Sequence, residues 1–318
     1  MRTVYLNGAF VPESEAKLSI YDLSVMQAVA AFEMTRSFHG DPFKLSAHLD
    51  RLKASCALLS IPWPRDYMDL PGLCRDVSRR NTHGPGEEHR LLIVVSPGCA
   101  PMYKDLAGVI PHPFLYIADF PLRYTVQGFG TYFTEGVHCV TSTIQQVPDA
   151  CIPSAAKHRS RLHFHLAQQQ VPAGVWPILL NTAGVVTEAP GANLMYVKEG
   201  QVFGITAQAL PGISLATAME LSGAEPSRPI GIEDLAAMDE VWLTGTPFCM
   251  LPVVSLDGQP IGDGTMGPVY RQTLDKWSTM VGLDIAGQIQ TWDAQARLPQ
   301  VAISPALWTP DAQRSHAN

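Results

Sequence analysis

The stretch 153-PSAAKHRSRLHF-164 places one lysine, Lys157, behind a proline and two alanines in a chain with only 22 lysines and arginines among 318 residues. Two readings are open. A lysine is ordinarily exposed, and 154-SAAKH-158 can be a strand edge on which the ammonium is simply solvated. Alternatively, desolvation lowers the pKa of the amine and frees a nucleophilic nitrogen able to form a Schiff base. Which reading holds depends on the company the lysine keeps along the chain.

The totals set outer bounds. A length of 318 residues exceeds the usual single core, so two domains or one large α/β unit is expected. An apolar fraction of 46% with 16% charged residues describes a packed globule. The net charge of -7 is interspersed and offers no polybasic stripe, which argues against nucleic acid as a partner. The longest apolar runs, such as 91-LLIVV-95, are too short to span a bilayer, and MRTVYLNGAFVPESE has no apolar leader core. A cytoplasmic protein without membrane contact is the expectation. Six scattered cysteines form no CxxC pair and read as reduced thiols, and His163 and His165 are two apart, so no metal site is expected.

Upstream of the lysine, strands are expected over 3-TVYLNGAF-10, with an Asn-Gly turn, and over 29-VAAFEMTRSF-38. A helix should begin after Ser46, a good N-cap, with Leu49, Leu52, Cys56 and Leu59 on its apolar stripe and His48, Arg51 and Ser55 off it. A second helix at about 66–80 and strands at 90–96 and 114–120 complete a small α/β domain over residues 1–122. The weakly patterned 123–130 reads as an interdomain linker. A larger domain follows over 131–296, where 176–205 suggests an antiparallel meander, with helices after 210-LPG-212 and over about 267–282. The proline-containing end, 297–318, reads as a partly disordered arm.

Single motifs are weak. The GxGxxG at 262-GDGTMG-267 follows a hairpin and precedes Pro268, so it reads as a loop needing glycine rather than a dinucleotide turn. In 209-ALPGISLATAMEL-221 a helix opens with free N–H groups and a hydroxyl, which suits a phosphate or is only a capped helix. The small loop 244-TGTP-247 and the strand-end Glu188 are ordinary taken alone.

In order, however, 5-YLNG-8, Phe32-Glu33, 48-HLDRL-52, Lys157, 188-EAPGANL-194, 210-LPGIS-214, 241-VWLTGT-246, 257-DG-258 and 267-GP-268 resemble the class IV pyridoxal-phosphate aminotransferases. That family holds branched-chain aminotransferases, D-amino-acid transaminases and 4-amino-4-deoxychorismate lyases. The resemblance implies a two-domain α/β (α+β) enzyme of fold type IV, with a small N-terminal domain and a larger pseudo-barrel domain. It also implies pyridoxal 5'-phosphate as cofactor, a small-molecule amino donor and a 2-oxo acid acceptor, and a homodimer with its active site near the interface. Lys157 would carry the Schiff base and shuttle a proton, and Glu188 would pair with the ring nitrogen. Arg51, Ile213, Ser214 and Thr246 would hold the phosphate with Gly212 in the same loop, Leu210 would pack on the ring, and Asn193 would support the site.

Departures from the family pattern bear on substrate. Ala28 and Ala30 stand before Phe32, the pocket-wall residue, where glycines are common, and 96-SPGCAPMYK-104 lacks the Arg-x-His carboxylate trap of the D-amino-acid enzymes. Arg90 aligns with an arginine used near the site of branched-chain enzymes. Pro247 has no N–H to offer a substrate carboxylate, which leaves an amine, or a carboxylate bound differently, as the substrate. Leu162 replaces a tyrosine of branched-chain enzymes, and 157-KHRSRL-162 resembles the lyase. An aminotransferase is the leading expectation, the lyase the alternative, and a fold that has lost turnover the third.

Overall fold

The computed structural model describes residues 2–64, 69–84, 86–106 and 113–295, so the arm expected over 297–318 lies outside the described residues. At 5-YLNG-8 the backbone turns through positive φ at Asn7 (44°) and Gly8 (104°), conformations that suit these two residues, and folds β1 (Thr3–Leu6) back on β2 (Ala9–Pro12). With β3 (Ala31–Phe38), β4 (Asp41–Pro42), β5 (His89–Ser96) and β6 (Phe114–Pro121) they form a sheet in the order β2-β1-β6-β5-β3-β4. All of its pairings are antiparallel.

Helices Leu45–Leu58 and Leu70–Arg80 cover one face of this sheet. Leu49, Leu52, Cys56, Cys74 and Val77 meet Ala31, Leu91, Ile93 and Ile117 in one apolar cluster. The first helix starts ahead of the expected cap: Lys44, at φ 47°, precedes Leu45, so Ser46 sits in the first turn and caps nothing. In the second, Asp69 is the N-cap and accepts the Gly72 N–H. Side chains along β3 alternate between faces. Ala31 and Glu33 therefore lie toward the helices, while Phe32 and Met34 join Val94 and Tyr116 on the other side.

The second sheet has eight strands: β7 (Val137–Thr141), β8 (Val175–Ile178), β9 (Asn193–Lys198), β10 (Gln201–Gly204), β11 (Glu225–Pro226), β12 (Glu240–Gly245), β13 (Cys249–Leu256) and β14 (Gln259–Pro260). Their order is β11-β10-β9-β12-β13-β7-β8, with β14 on β13. The expected meander over 176–205 is only half present. β9 and β10 form an antiparallel hairpin, but β8 pairs with β7 in parallel, across the long segment that carries Lys157. Helices Ile213–Ser222, Pro268–Val281 and Ile285–Gln295, the last not expected, pack on this sheet around Leu215, Trp277 and Ile289.

The segment expected as a linker is packed rather than loose. It holds a short helix, Arg123–Val126, and buries Val126 and Phe129 in the second core. The Asp293 carboxylate accepts the N–H groups of Gly128 and Gly130 at 2.8 and 2.7 Å, an anchor 165 and 163 residues away from them in sequence.

The 262-GDGTMG-267 stretch is a turn, with positive φ at Gly262 and Gly264, leading into the helix Pro268–Val281. The N-terminus of that helix is already filled by an anion: the buried Glu240 carboxylate accepts from Val269 N at 2.9 Å and Tyr270 N at 2.8 Å. A Cβ at Gly267 would overlap this carboxylate. Because each bond is charge-assisted, Glu240→Ala is expected to cost about 1.5–3 kcal/mol of stability, read as a lowered midpoint of urea unfolding.

Candidate active site

Lys157 belongs to an irregular segment laid against the free end of β3. The Phe32 N–H donates to the Lys157 carbonyl and the Arg159 N–H to the Ala30 carbonyl, both at 3.0 Å, with one bridge between Ala31 and His158. The Lys157 N–H donates to Ser55 Oγ at 3.0 Å. That contact explains a hydroxyl off the apolar stripe of its helix. Nζ lies 4.9 Å from the centre of the Phe32 ring and, among the described residues, makes no hydrogen bond or ion pair. Burial and the Arg51 and Arg161 charges outweigh the attraction of Glu33 and Glu188 and bring the amine down to about 7.

Glu188 is placed by a short ladder in which Leu179 N donates to its carbonyl at 2.9 Å. Its carboxylate accepts from Gln146 Nε2 at 2.8 Å and from Leu210 N at 3.3 Å. Burial raises its pKa against the pull of these donors and of Arg161 and Lys157. Gln146 escaped the sequence reading because its loop carries no motif; it reaches the site by donating its own N–H to the Leu180 carbonyl.

An anion cup forms the other end. Ile213 and Ser214 are the first two residues of a helix, so their N–H groups have no partner within it. Asn193 Nδ2 donates to the Leu210 carbonyl at 2.8 Å and holds the preceding loop so closely that a Cβ at Gly212 would overlap its Oδ1. Arg51 reaches the same loop, donating to the Pro211 carbonyl at 2.8 Å, while Nε and Nη2 donate to Glu33 at 2.6 and 2.9 Å. His48 Nδ1 donates to the same carboxylate at 2.7 Å. Burial works against ionisation of Glu33, yet the bonds from His48 and Arg51 and the nearby charges hold it at about 2.

These groups face one cavity with about 730 Å³ of empty volume. Phe32, Arg51, Lys157 and Glu188 line it, as do Asn193, Leu210, Gly212, Ile213, Ser214 and Thr246. The structure does not bring Arg90 or Pro247 into that lining. Arg90 pairs in register with Arg36, four residues along β3 from Phe32, and its Nη2 lies 3.7 Å from Met34 Sδ. The Pro247 carbonyl accepts from Arg36 Nη1 at 3.2 Å, which ties the turn after Thr246 to the first sheet. Leu162 is 67% exposed, and its neighbour Arg161 lines the cavity instead. The fold also gathers a set that residue spacing concealed: His83 Nε2 and His89 Nδ1 both donate to Asp119 Oδ2, at 3.0 and 2.7 Å, and the three could hold a metal ion.

A partly buried amine, a carboxylate and an anion cup around one cavity are the parts an enzyme needs to hold a phosphate-bearing carbonyl compound. The family model for class IV amino-transferases matches residues 30–256, more than half the chain. The chain belongs to the class IV aminotransferase family. It is 28% identical over 308 residues to the branched-chain-amino-acid aminotransferase of Salmonella typhimurium LT2, covering 86% of this chain and 95% of that one. Identity is 30% over 284 residues to branched-chain-amino-acid aminotransferase-like protein 1 of Arabidopsis thaliana, with 84% of this chain spanning 48% of that protein. The T.th. branched-chain amino acid aminotransferase, solved with pyridoxamine 5'-phosphate, matches with a TM-score of 0.74 at 25% identity, over 92% of this chain and 97% of that one. A further structure of that protein contains N-(5'-phosphopyridoxyl)-L-glutamate.

Since the folded-state pKa of Glu33 is depressed, its stabilisation is complete above the ordinary carboxylate range and is lost as pH falls toward 2. Glu33→Gln should therefore be less stable than the parent chain at neutral pH. The gap should close on acidification, as urea unfolding at a series of pH values will show.

Proposed function

We propose that the chain is a pyridoxal-5'-phosphate-dependent aminotransferase moving an amino group between an amino acid and a 2-oxo acid. The observation that carries this reading is the Lys157 amine, without a hydrogen bond or ion pair among the described residues and lowered to about 7, in one cavity with Glu188 and the anion cup. The donors present suit the cofactor: two helix-terminal N–H groups, a serine and a threonine hydroxyl and Arg51 for the phosphate, and a buried carboxylate for a ring nitrogen. When bound, the cofactor supplies an aldehyde that captures amines and an electron-accepting ring that stabilises negative charge at the substrate α-carbon.

The side chains divide the remaining work. Lys157 would hold the cofactor through Nζ and would move the proton from the substrate α-carbon to the carbon that was the cofactor's aldehyde, a role open to an amine whose pKa is brought down to about 7. Glu188, oriented by Gln146 and the Leu210 N–H, would pair with the cofactor's ring nitrogen and keep it protonated. Glu33 fixes the Arg51 guanidinium beside the Pro211 loop, so the cation waits at the cup at no further ordering cost. Phe32 and Leu210 supply apolar walls that exclude water.

The relatives named above are aminotransferases, and the lyase alternative, resting on 157-KHRSRL-162, draws no support from them. A homodimer and a division into lobes at 1–122 and 131–296 belong to the same reading; sedimentation checks the first. No helix among the described residues is long and apolar enough to cross a membrane.

Borohydride reduction of the cofactor-loaded protein is expected to leave the phosphopyridoxyl mass on the peptide containing Lys157, and attachment to any other residue overturns the assignment. Covalent uptake of pyridoxal phosphate should accelerate with rising pH and level off above about 7, because the neutral amine is the nucleophile. Glu188→Gln should slow conversion to pyridoxamine phosphate by amino acids at least about 100-fold, followed by absorbance in a single half-reaction.

A further inference from the structure

The cavity contains a cation that the proposed cofactor chemistry leaves unused. Arg161 precedes the helix Leu162–Gln169, and its guanidinium lies 5.6 Å from the centre of the Phe32 ring and 4.9 Å from that of Phe164. Among the described residues its side chain has no hydrogen bond and no ion pair. The nearby Glu188 carboxylate attracts it, but its hydrogen bonds come from Gln146 and the Leu210 N–H rather than from Arg161. Arg51, by contrast, is matched by Glu33 at hydrogen-bond distance.

The charges facing the cavity therefore do not balance. Arg51 is paired with Glu33 and the Lys157 amine is brought down to about 7, whereas Arg161 keeps its charge with no ion pair among the described residues, and a partly desolvated guanidinium without an anion is costly. The phosphate cup is assembled around the helix at Ile213 and is served by Arg51. Pro247 cannot donate from the turn that follows Thr246. What remains is a planar, two-pronged donor held between two aromatic rings, a geometry that matches a carboxylate. Approach is open as well. Gly191, at φ 81°, faces Nη2 with no side chain, and a Cβ there would lie 4.0 Å from it.

Building on the aminotransferase reading, we propose that Arg161 is the carboxylate-binding residue of the substrate subsite, so that the enzyme takes 2-amino acids and 2-oxo acids rather than amines lacking a carboxylate. The guanidinium binds the α-carboxylate that every such donor and acceptor shares. It thereby supplies the contact that the turn at Pro247 cannot.

The test uses 4-methylvalerate and its uncharged amide, 4-methylvaleramide, as unreactive probes, with binding read by calorimetry on the cofactor-loaded protein and on the apoprotein. The wild-type protein should prefer the acid by roughly tenfold to a hundredfold. Arg161→Gln should lose that preference, and Arg161→Lys should recover part of it, while cofactor affinity and the absorbance maximum stay as in wild type. A wild-type protein that binds acid and amide alike overturns the proposal, as does an Arg161→Gln protein that keeps the preference. A variant with weakened cofactor binding or a shifted spectrum but an intact acid preference also overturns it, since the guanidinium then serves the cofactor. If the wild-type chain takes up no pyridoxal phosphate yet Arg161→Gln abolishes the acid preference of the apoprotein, the subsite stands and the cofactor reading fails.

Discussion

Main-chain hydrogen bonds between residues 157–159 and the Ala30–Phe32 end of β3 tie the segment between β7 and β8 to the first sheet beside the cavity. Everything else in the cavity is placed relative to that seam. It carries Lys157 to the face of Phe32, brings Ser55 of the first helix under the Lys157 N–H, and leaves Arg161 at the mouth of the next helix. Because the contact is made through backbone groups, it orients the lysine without using its side chain. The amine stays free for reaction.

A second constraint is the arrangement of charge among buried groups. Glu33 on the helix side of β3 binds Arg51 and His48 at once and stays ionised despite complete burial. Its adjacent residue, Phe32, points the other way into the cavity. Two neighbours on one strand thus serve different ends of the cavity, Glu33 by holding Arg51 at the cup and Phe32 by lining the space beside Lys157, a direct consequence of the period of a strand. Arg36 performs a similar joining role further along, donating to the Pro247 carbonyl and, through Nη2, to Gln288 at 2.9 Å, which ties the first sheet to the turn after β12 and to the last helix.

Much of the site was legible in the sequence, in order if not in geometry. Lys157, Glu188, Asn193 and the 210-LPGIS-214 loop carry side chains or backbone groups whose chemistry is recognisable from residue type and spacing, and they do meet in one cavity. Gln146 and Arg161 were missed as site residues because a glutamine in an unpatterned loop and an arginine among charged neighbours are indistinguishable from surface residues until the chain folds. Arg90 and Pro247, by contrast, lie outside that lining. Each occupies a plausible place in the chain, yet register puts Arg90 opposite Arg36, with Nη2 near Met34 Sδ, and the turn after Thr246 carries Pro247 toward Arg36.

Through the ordered motifs and the family they resemble, this sequence determined the α/β class and the family, and singled out Lys157 as the candidate for its chemistry. Local signals suffice there: alternation marks strands, Asn-Gly and Pro-Gly mark turns, and the motifs taken in order carry the resemblance to the family. Tertiary structure alone decided that β8 lies parallel to β7, that Asp293 and Glu240 fill backbone donors far away in sequence, and that Arg161 rather than Leu162 faces the cavity. Those outcomes depend on which distant groups approach within hydrogen-bond range and which charges are left without a partner, quantities with no counterpart in residue order.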